Sequence, residues 1–224
     1  MSRALRALSS TYVERRDKLG EGAALSGAGK RAAFALFYGP LHYLLVREIV
    51  RELRATTAST TTLVDLGCGT GAAGAAWAAA CTSPPRVVGI DRHPWALTEA
   101  AWTYGQFGLS ARTQRGDVAA GDVPRGAILA AFTVNELHDA KARDGLLQRL
   151  VDRAAKGDRV LIVEPLARFV ARWWDHWRGV VEGVGGRADE WRFRVELPPI
   201  VAKLDRAAGL DHRELTARSL WLAP

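Results

Sequence analysis

The residues with the most chemical potential in this 224-residue chain are acids and glycines at short, regular intervals. Val64-Asp65-Leu66-Gly67-Cys68-Gly69-Thr70-Gly71 sets three glycines at alternate positions just after an aspartate. Alternating glycines let a backbone turn tightly and approach a bound molecule closely, where side chains would intrude. A bare turn needs one glycine rather than three, so the segment reads as a ligand cradle. Two more acids follow: Asp91 after Val87-Val88-Gly89-Ile90, and Asp117 within Arg115-Gly116-Asp117-Val118. An acid at a strand end can accept both hydroxyls of a ribose, and a second could accept the exocyclic amine of a base. A third group, Asn135, Glu136, His138 and Asp139, follows Ala131-Phe132-Thr133-Val134, and Glu164 follows Ile162-Val163. A carboxylate or imidazole in that group could take a proton from a nucleophile.

These groups need a scaffold that brings them to one edge. Apolar runs at residues 61–66, 86–90, 127–134 and 159–163 alternate with helical periods at 72–80, 94–108 and 140–155. Continuous apolar runs separated by helices predict strands buried on both faces, hence an α/β fold with a mostly parallel sheet. Residues 111–117 form a more polar strand. Ligands in such sheets sit beyond the carboxyl ends of the strands, where all of these acids fall. Residues 1–60 read as a helical cap: Leu41, Leu44, Leu45, Ile49 and Leu53 recur at helical spacing, and Gly39-Pro40 should break this helix from the one before. A glycine-rich stretch at 20–29 links these to an N-terminal helix, and 55–60 is a polar connector. Within the main unit, 61–224, a helical insertion is expected over 165–196 after the fifth strand. Its apolar spine is Val170, Trp173, Trp174, Trp177, Val180, Val181 and Val184, with Asp175 and His176 on the opposite side. A helix over 197–208 and one last strand over 211–222 complete the chain.

Composition narrows the class. Hydrophobic residues make up 48% and charged ones 25%, the balance of a globular protein. No apolar run reaches the roughly 18 residues that span a bilayer, and the start lacks an export signal, so a cytoplasmic, non-membrane protein is expected. Two cysteines, Cys68 and Cys81, build neither a disulfide framework nor a zinc site. The net charge of +7 suits an anionic partner such as RNA, but an Arg- and Ala-rich composition accounts for it equally.

The cradle admits two ligands. Gly67, Gly69 and Ala72 formally meet a dinucleotide fingerprint, which would imply NAD. Asp65 directly beneath the loop favours the amine and sulfonium of S-adenosyl-L-methionine over a pyrophosphate, which it would repel. With Asp65, Asp91 and Asp117 at three successive strand ends, VDLGCGTG, VVGIDRHP and RGDV together resemble the class I S-adenosylmethionine-dependent methyltransferases over residues 60–224. The resemblance implies that fold, a Rossmann-like sheet, and this cofactor. It also implies that Asp65, Gly67, Cys68, Gly69 and Gly71 cradle the methionine part, with Thr133 and Asn135 nearby, and that Asp91 holds the ribose. Arg92, His93, Asp117 and Val118 would border the adenine. The family sheet ends in an antiparallel hairpin, of which the sequence offers one clear strand.

Methyl transfer from a sulfonium is an in-line displacement that needs alignment and exclusion of water more than a base. Glu136, His138 and Glu164 are the candidates should a proton have to leave. Asp139 also reads as a helix N-cap. Asn135-Glu136-Leu137 stands where base-modifying amino-methyltransferases carry (N/D/S)PP(Y/F/W), and its absence argues against that reaction. Tyr38, His42 and Tyr43 could close over the donor carboxylate with Lys30 or Arg31, and the tryptophans could form a lid. Residues 32–53, with Asn135-Glu136-Leu137, resemble a methyltransferase-like family associated with the mitochondrial and bacterial small ribosomal subunit, although the cysteine-rich segment of those relatives is missing. A small organic acceptor is therefore expected first, and an rRNA-directed methyltransferase or ribosome-assembly factor second.

Overall fold

A computed structural model describes residues 25–56, 60–166 and 173–224. The expected N-terminal helix and Val170 of the tryptophan spine lie outside those residues. The chain forms one seven-stranded sheet: β1 (Thr62–Leu66), β2 (Arg86–Asp91), β3 (Ala111–Arg115), β4 (Ala127–Ala131), β5 (Val160–Glu164), β6 (Arg187–Arg194) and β7 (Glu214–Leu222). Their order is β3-β2-β1-β4-β5-β7-β6, with β1 to β5 parallel. β7 runs antiparallel to β5, and β6 antiparallel to β7. This is the Rossmann-like sheet expected of the class I methyltransferase fold. No helix among the described residues is long and apolar enough to cross a membrane.

Helices cover both faces because the strands are apolar on both. Leu63, Leu129 and Leu161 point into one core, with α1 (Ala28–Ala33), α2 (Gly39–Glu52), α3 (Ala72–Ala80) and α4 (Pro94–Gln106). Val64, Ile128 and Ile162 point into the other, with α5 (Ala140–Ala155) and α6 (Trp174–Gly183). α7 (Pro199–Ala207) returns to the first face, where it buries Val201. Alanine fills α3 almost entirely, so the helix sits close to the sheet while Trp77, fully buried, reaches Trp221 with 5.9 Å between ring centroids.

Two expectations are corrected. Gly39-Pro40 does not break the N-terminal helix: α1 passes into a π-helical turn, Phe34–Tyr38, and on into α2, with Gly39 N–H donating to the Phe34 carbonyl. Proline has no N–H to give, and a widened turn lets the helix run on without it. The segment 165–196 is not helical throughout, since 187–194 is β6, the missing half of the terminal hairpin. Apolar alternation is confined to its second half, where half-buried Trp191 and Phe193 alternate with exposed Arg192 and Arg194; the first half is mostly polar, so the period is too short to mark the whole edge strand.

Candidate functional site

The glycine bend follows β1 directly. Gly67, Gly69 and Gly71 all have positive φ, at 66°, 52° and 75°. At Gly67 and Gly71 the tertiary structure adds a second demand. A Cβ on Gly67 would lie 2.5 Å from the Thr133 side chain, and one on Gly71 would lie 2.9 Å from the Ala100 backbone of α4. Close approach to protein therefore constrains these glycines alongside any ligand. Asp65 is 1% exposed and braces the bend from below: its carboxylate accepts from Gly74 N at 3.1 Å and from the Tyr104 hydroxyl at 2.8 Å. Burial raises its carboxyl to about 6 against the pull of those two bonds. Cys68 is buried, its thiol directed at Gly89 and Tyr104 and pushed up by desolvation.

A small crevice of about 40 Å³ opens beside the bend at the carboxyl ends of the strands. Gly67 contributes from β1, Asp91 and Arg92 from β2, Gly116, Asp117 and Val118 from beyond β3, and Thr133, Glu136 and Leu137 from beyond β4. Asp91 joins the first two walls, accepting from Gly69 N at 3.0 Å and from His93 N at 2.8 Å. His93 caps α4, its Nδ1 accepting from Trp95 N at 3.2 Å, and does not line the crevice. Asp117 is exposed and holds its own turn through Ala119 N at 2.9 Å. Arg149 of α5 clamps that turn, donating to the Val118 and Ala119 carbonyls at 2.9 and 2.8 Å. In the sequence Arg149 is one cation among several on a helix face, with nothing to mark it.

Beyond β4, Thr133 donates to the Leu66 carbonyl at 2.9 Å and pins the two strand ends together. Glu164, fully buried at the end of β5, accepts from Val134 N at 2.8 Å, from Asn135 N at 3.2 Å and from the Asn135 amide. Trp173 Nε1 donates to the other end of that amide at 3.2 Å, so Asn135 is held from both sides. Desolvation pushes Glu164 up to about 8, helped by the charge of Glu136 and opposed by the two backbone donors and Arg218. His138 is exposed and does not itself line the crevice, though it follows Leu137, which does; its carbonyl accepts from Arg143. Asp139 caps α5 through Ala142 N at 2.9 Å. Trp174 and Trp177 are buried, with the Arg218 guanidinium 4.2 Å from the centroid of the Trp174 ring. Of the aromatics in α2, Tyr43 stacks on Phe107, whereas His42 gathers with Phe132 and with Phe34 and Tyr38 of the π-helical turn.

The crevice fits an adenosyl group in the chemistry it offers: a carboxylate at the tip of β2, a second beyond β3, and apolar walls at Val118 and Leu137. Among the described residues no cluster of His, Cys, Asp or Glu could hold a metal.

Residues 63–157 match the family model described as a methyltransferase domain. No curated protein matches the chain. Solved structures resemble it in fold at low identity. The N-methyltransferase NodS from Bradyrhizobium japonicum WM9, in complex with S-adenosyl-L-homocysteine, is 15% identical with a TM-score of 0.53, over 82% of this chain and 85% of that one. A SAM-dependent methyltransferase from Aquifex aeolicus is 15% identical with a TM-score of 0.52, over 92% of this chain and 96% of that one. The plantazolicin methyltransferase BpumL, also solved with S-adenosyl-L-homocysteine, is 11% identical with a TM-score of 0.53, over 98% of this chain and 95% of that one.

Proposed function

From the premise that this chain carries a class I methyltransferase domain that uses S-adenosylmethionine, we propose that it transfers the methyl group to a small organic acceptor. The observation that carries the reading is the crevice itself, a glycine bend flanked by carboxylates from two neighbouring strand ends. Asp91 takes the ribose hydroxyls, Asp117 and Val118 border the base with Arg92, and the bend meets the methionine part. Bound there, the donor supplies an electrophilic methyl carbon on a sulfonium. The chain's own residues align and shield it.

Three residues drew attention in the sequence as candidates for the chemistry. Glu136 lines the crevice and is the carboxylate nearest a proton-transfer role; His138, exposed and not among the lining residues, has the weakest case. Glu164 acts as a positioning residue, because its oxygens are spent on Val134 and Asn135. A small acceptor ranks before RNA, with five surface arginines locally compensated: Arg47 and Arg51 pair with Glu48, Arg178 with Glu182, Arg187 with Asp189 and Arg213 with Asp211.

The test has two parts. Calorimetry should show S-adenosyl-L-homocysteine binding and NAD not binding. Labelled methyl groups offered with cell extract should then enter the small-molecule fraction. Label in RNA, with RNA affinity falling steeply as salt rises, would replace the acceptor assignment with the ribosomal one. Binding of NAD alone would end the methyltransferase reading.

A further inference from the structure

Two unusual backbone conformations meet at one pair of side chains. The π-helical turn Phe34–Tyr38 sets the register in which α2 presents His42, and Phe132, the first residue after β4, is held at φ +59°, a left-handed conformation that a bulky side chain adopts only when its surroundings impose it. Both kinds of irregularity concentrate at functional sites. Here they stack the His42 ring on Phe132, with centroids 4.0 Å apart and planes 18° from parallel. Phe34 meets His42 edge-on at 6.1 Å, and Tyr38 lies 6.3 Å away. Phe34 also reaches the glycine bend, since a Cβ on Gly69 would stand 3.3 Å from its ring. The cluster therefore spans the ends of β1 and β4. Strand order reverses between them, and open α/β sheets bind their ligands at such a switch point.

His42 does nothing structural with its nitrogens. It is half-buried, and among the described residues neither ring nitrogen has a hydrogen-bond partner. A largely enclosed histidine ordinarily commits at least one nitrogen to a partner. His212 does so, with Nδ1 2.5 Å from the Asp205 carboxylate. Desolvation by its surroundings holds the His42 imidazole well below its ordinary value, at about 4, so the ring is neutral with a lone pair available.

Resting on the methyl-donor reading above, we propose that His42 is a catalytic residue that accepts the proton of the acceptor's nucleophile, in a site bordered by Phe34, Tyr38 and Phe132 that takes a planar aromatic hydroxyl or amine. Flat π surfaces pair with such rings edge-on or offset. As the acceptor's oxygen or nitrogen forms its bond to the methyl carbon, the carbon–sulfur bond breaks and its electron pair stays on sulfur as a thioether. The nucleophile's proton passes to a His42 nitrogen, giving an imidazolium that later loses the proton to water. A weak base suffices, because the proton becomes acidic as positive charge develops on the methylated atom.

The test uses the whole protein saturated with S-adenosyl-L-homocysteine, with phenol and anisole as planar probes that differ in the O–H. Phenol should shift the His42 imidazole resonances in nitrogen–proton spectra. It should bind His42→Phe at least about fivefold more weakly than wild type, the worth of one hydrogen bond, while anisole binds both alike. Labelled methyl transfer into the small-molecule fraction should fall at least about tenfold in His42→Phe with homocysteine affinity kept within about twofold. His42→Gln, which keeps a hydrogen-bond acceptor without a basic nitrogen, should recover phenol binding but not transfer. If His42→Phe loses the homocysteine compound through misfolding, His42→Gln carries the kinetic comparison. Unchanged phenol binding in His42→Phe, or unchanged transfer in either variant, with the homocysteine compound still bound, would overturn the role of His42 alone. Failure of the wild type to bind it would overturn the donor reading and the His42 role together.

Discussion

Around the tips of β1, β2 and β3, the groups that line the crevice come from one uninterrupted stretch, each acid lying at or just after the end of its strand. Around β4 and β5 the groups come from everywhere: His42 and Phe34 from the N-terminal helix, Phe132 and Asn135 from beyond β4, Glu164 from β5, Trp173 from before α6 and Arg218 from β7. The first region is built by backbone geometry and by hydrogen bonds mostly within one stretch of chain, such as Gly69 to Asp91 and Tyr104 to Asp65, the second by side chains drawn from the whole chain. In the proposed function the donor is met by a local motif and the acceptor by assembly.

The sharpest way to break this contrast is at the bend. Gly67→Val forces a β-branched side chain into φ +66° and against Thr133, and should cost about 3 kcal/mol or more of stability and abolish homocysteine-compound binding. Thermal denaturation with calorimetry checks it; a variant as stable as wild type would mean that the bend tolerates side chains. Next in size is Asp91→Ala. It removes the proposed ribose acceptor and the partner of Gly69 N and His93 N, so affinity should drop about tenfold or more with the fold intact. Unchanged affinity would put the ribose elsewhere.

The pH dependence of stability sharpens the comparison, since one buried acid lies in each region. Asp65 and Glu164 both titrate higher in the folded protein than in the unfolded chain, from 3.8 to about 6 and from 4.5 to about 8. The folded state therefore holds its protons more tightly. The associated stability is fully present below the unfolded values and is lost as pH rises through about 6 for Asp65 and about 8 for Glu164. Melting temperature should fall between pH 5 and pH 8 by these two contributions, and Glu164→Gln should flatten the upper part of the fall, between about 6 and 8, alone. A slope there that survives the substitution would assign the titration to another group. Smallest is Trp173→Phe, which removes the hydrogen bond to Asn135 at a cost of about 1 kcal/mol and should leave donor affinity unchanged. A marked loss of donor affinity would show that the two regions are coupled.

The parallel strands, their helices and the crevice acids were legible because each depends on neighbours in sequence: apolar runs make buried strands, and an acid directly after one must sit at its carboxyl end. Asp139 was legible as a cap for the same reason. β6 escaped because its apolar alternation is only Trp191 and Phe193, with a mostly polar first half on an edge strand. The continuous helix through Pro40 escaped because a π turn changes hydrogen-bond register without changing residue type. His93 and Cys68 carried donor motifs in sequence yet turn out to cap a helix and to pack beneath the bend.

By itself the sequence determined a parallel α/β sheet, a glycine bend and acids at the ends of β2 and β3, since periodicity and adjacency are properties of the chain. Only the tertiary structure decided that Asp65 is a buried brace for Gly74 and Tyr104, that Glu164 holds Asn135, and that His42 lies on Phe132 with its nitrogens uncommitted. Burial and hydrogen-bond partnership belong to groups distant in sequence, and no local pattern encodes which of two acids will be walled in and which will face the crevice.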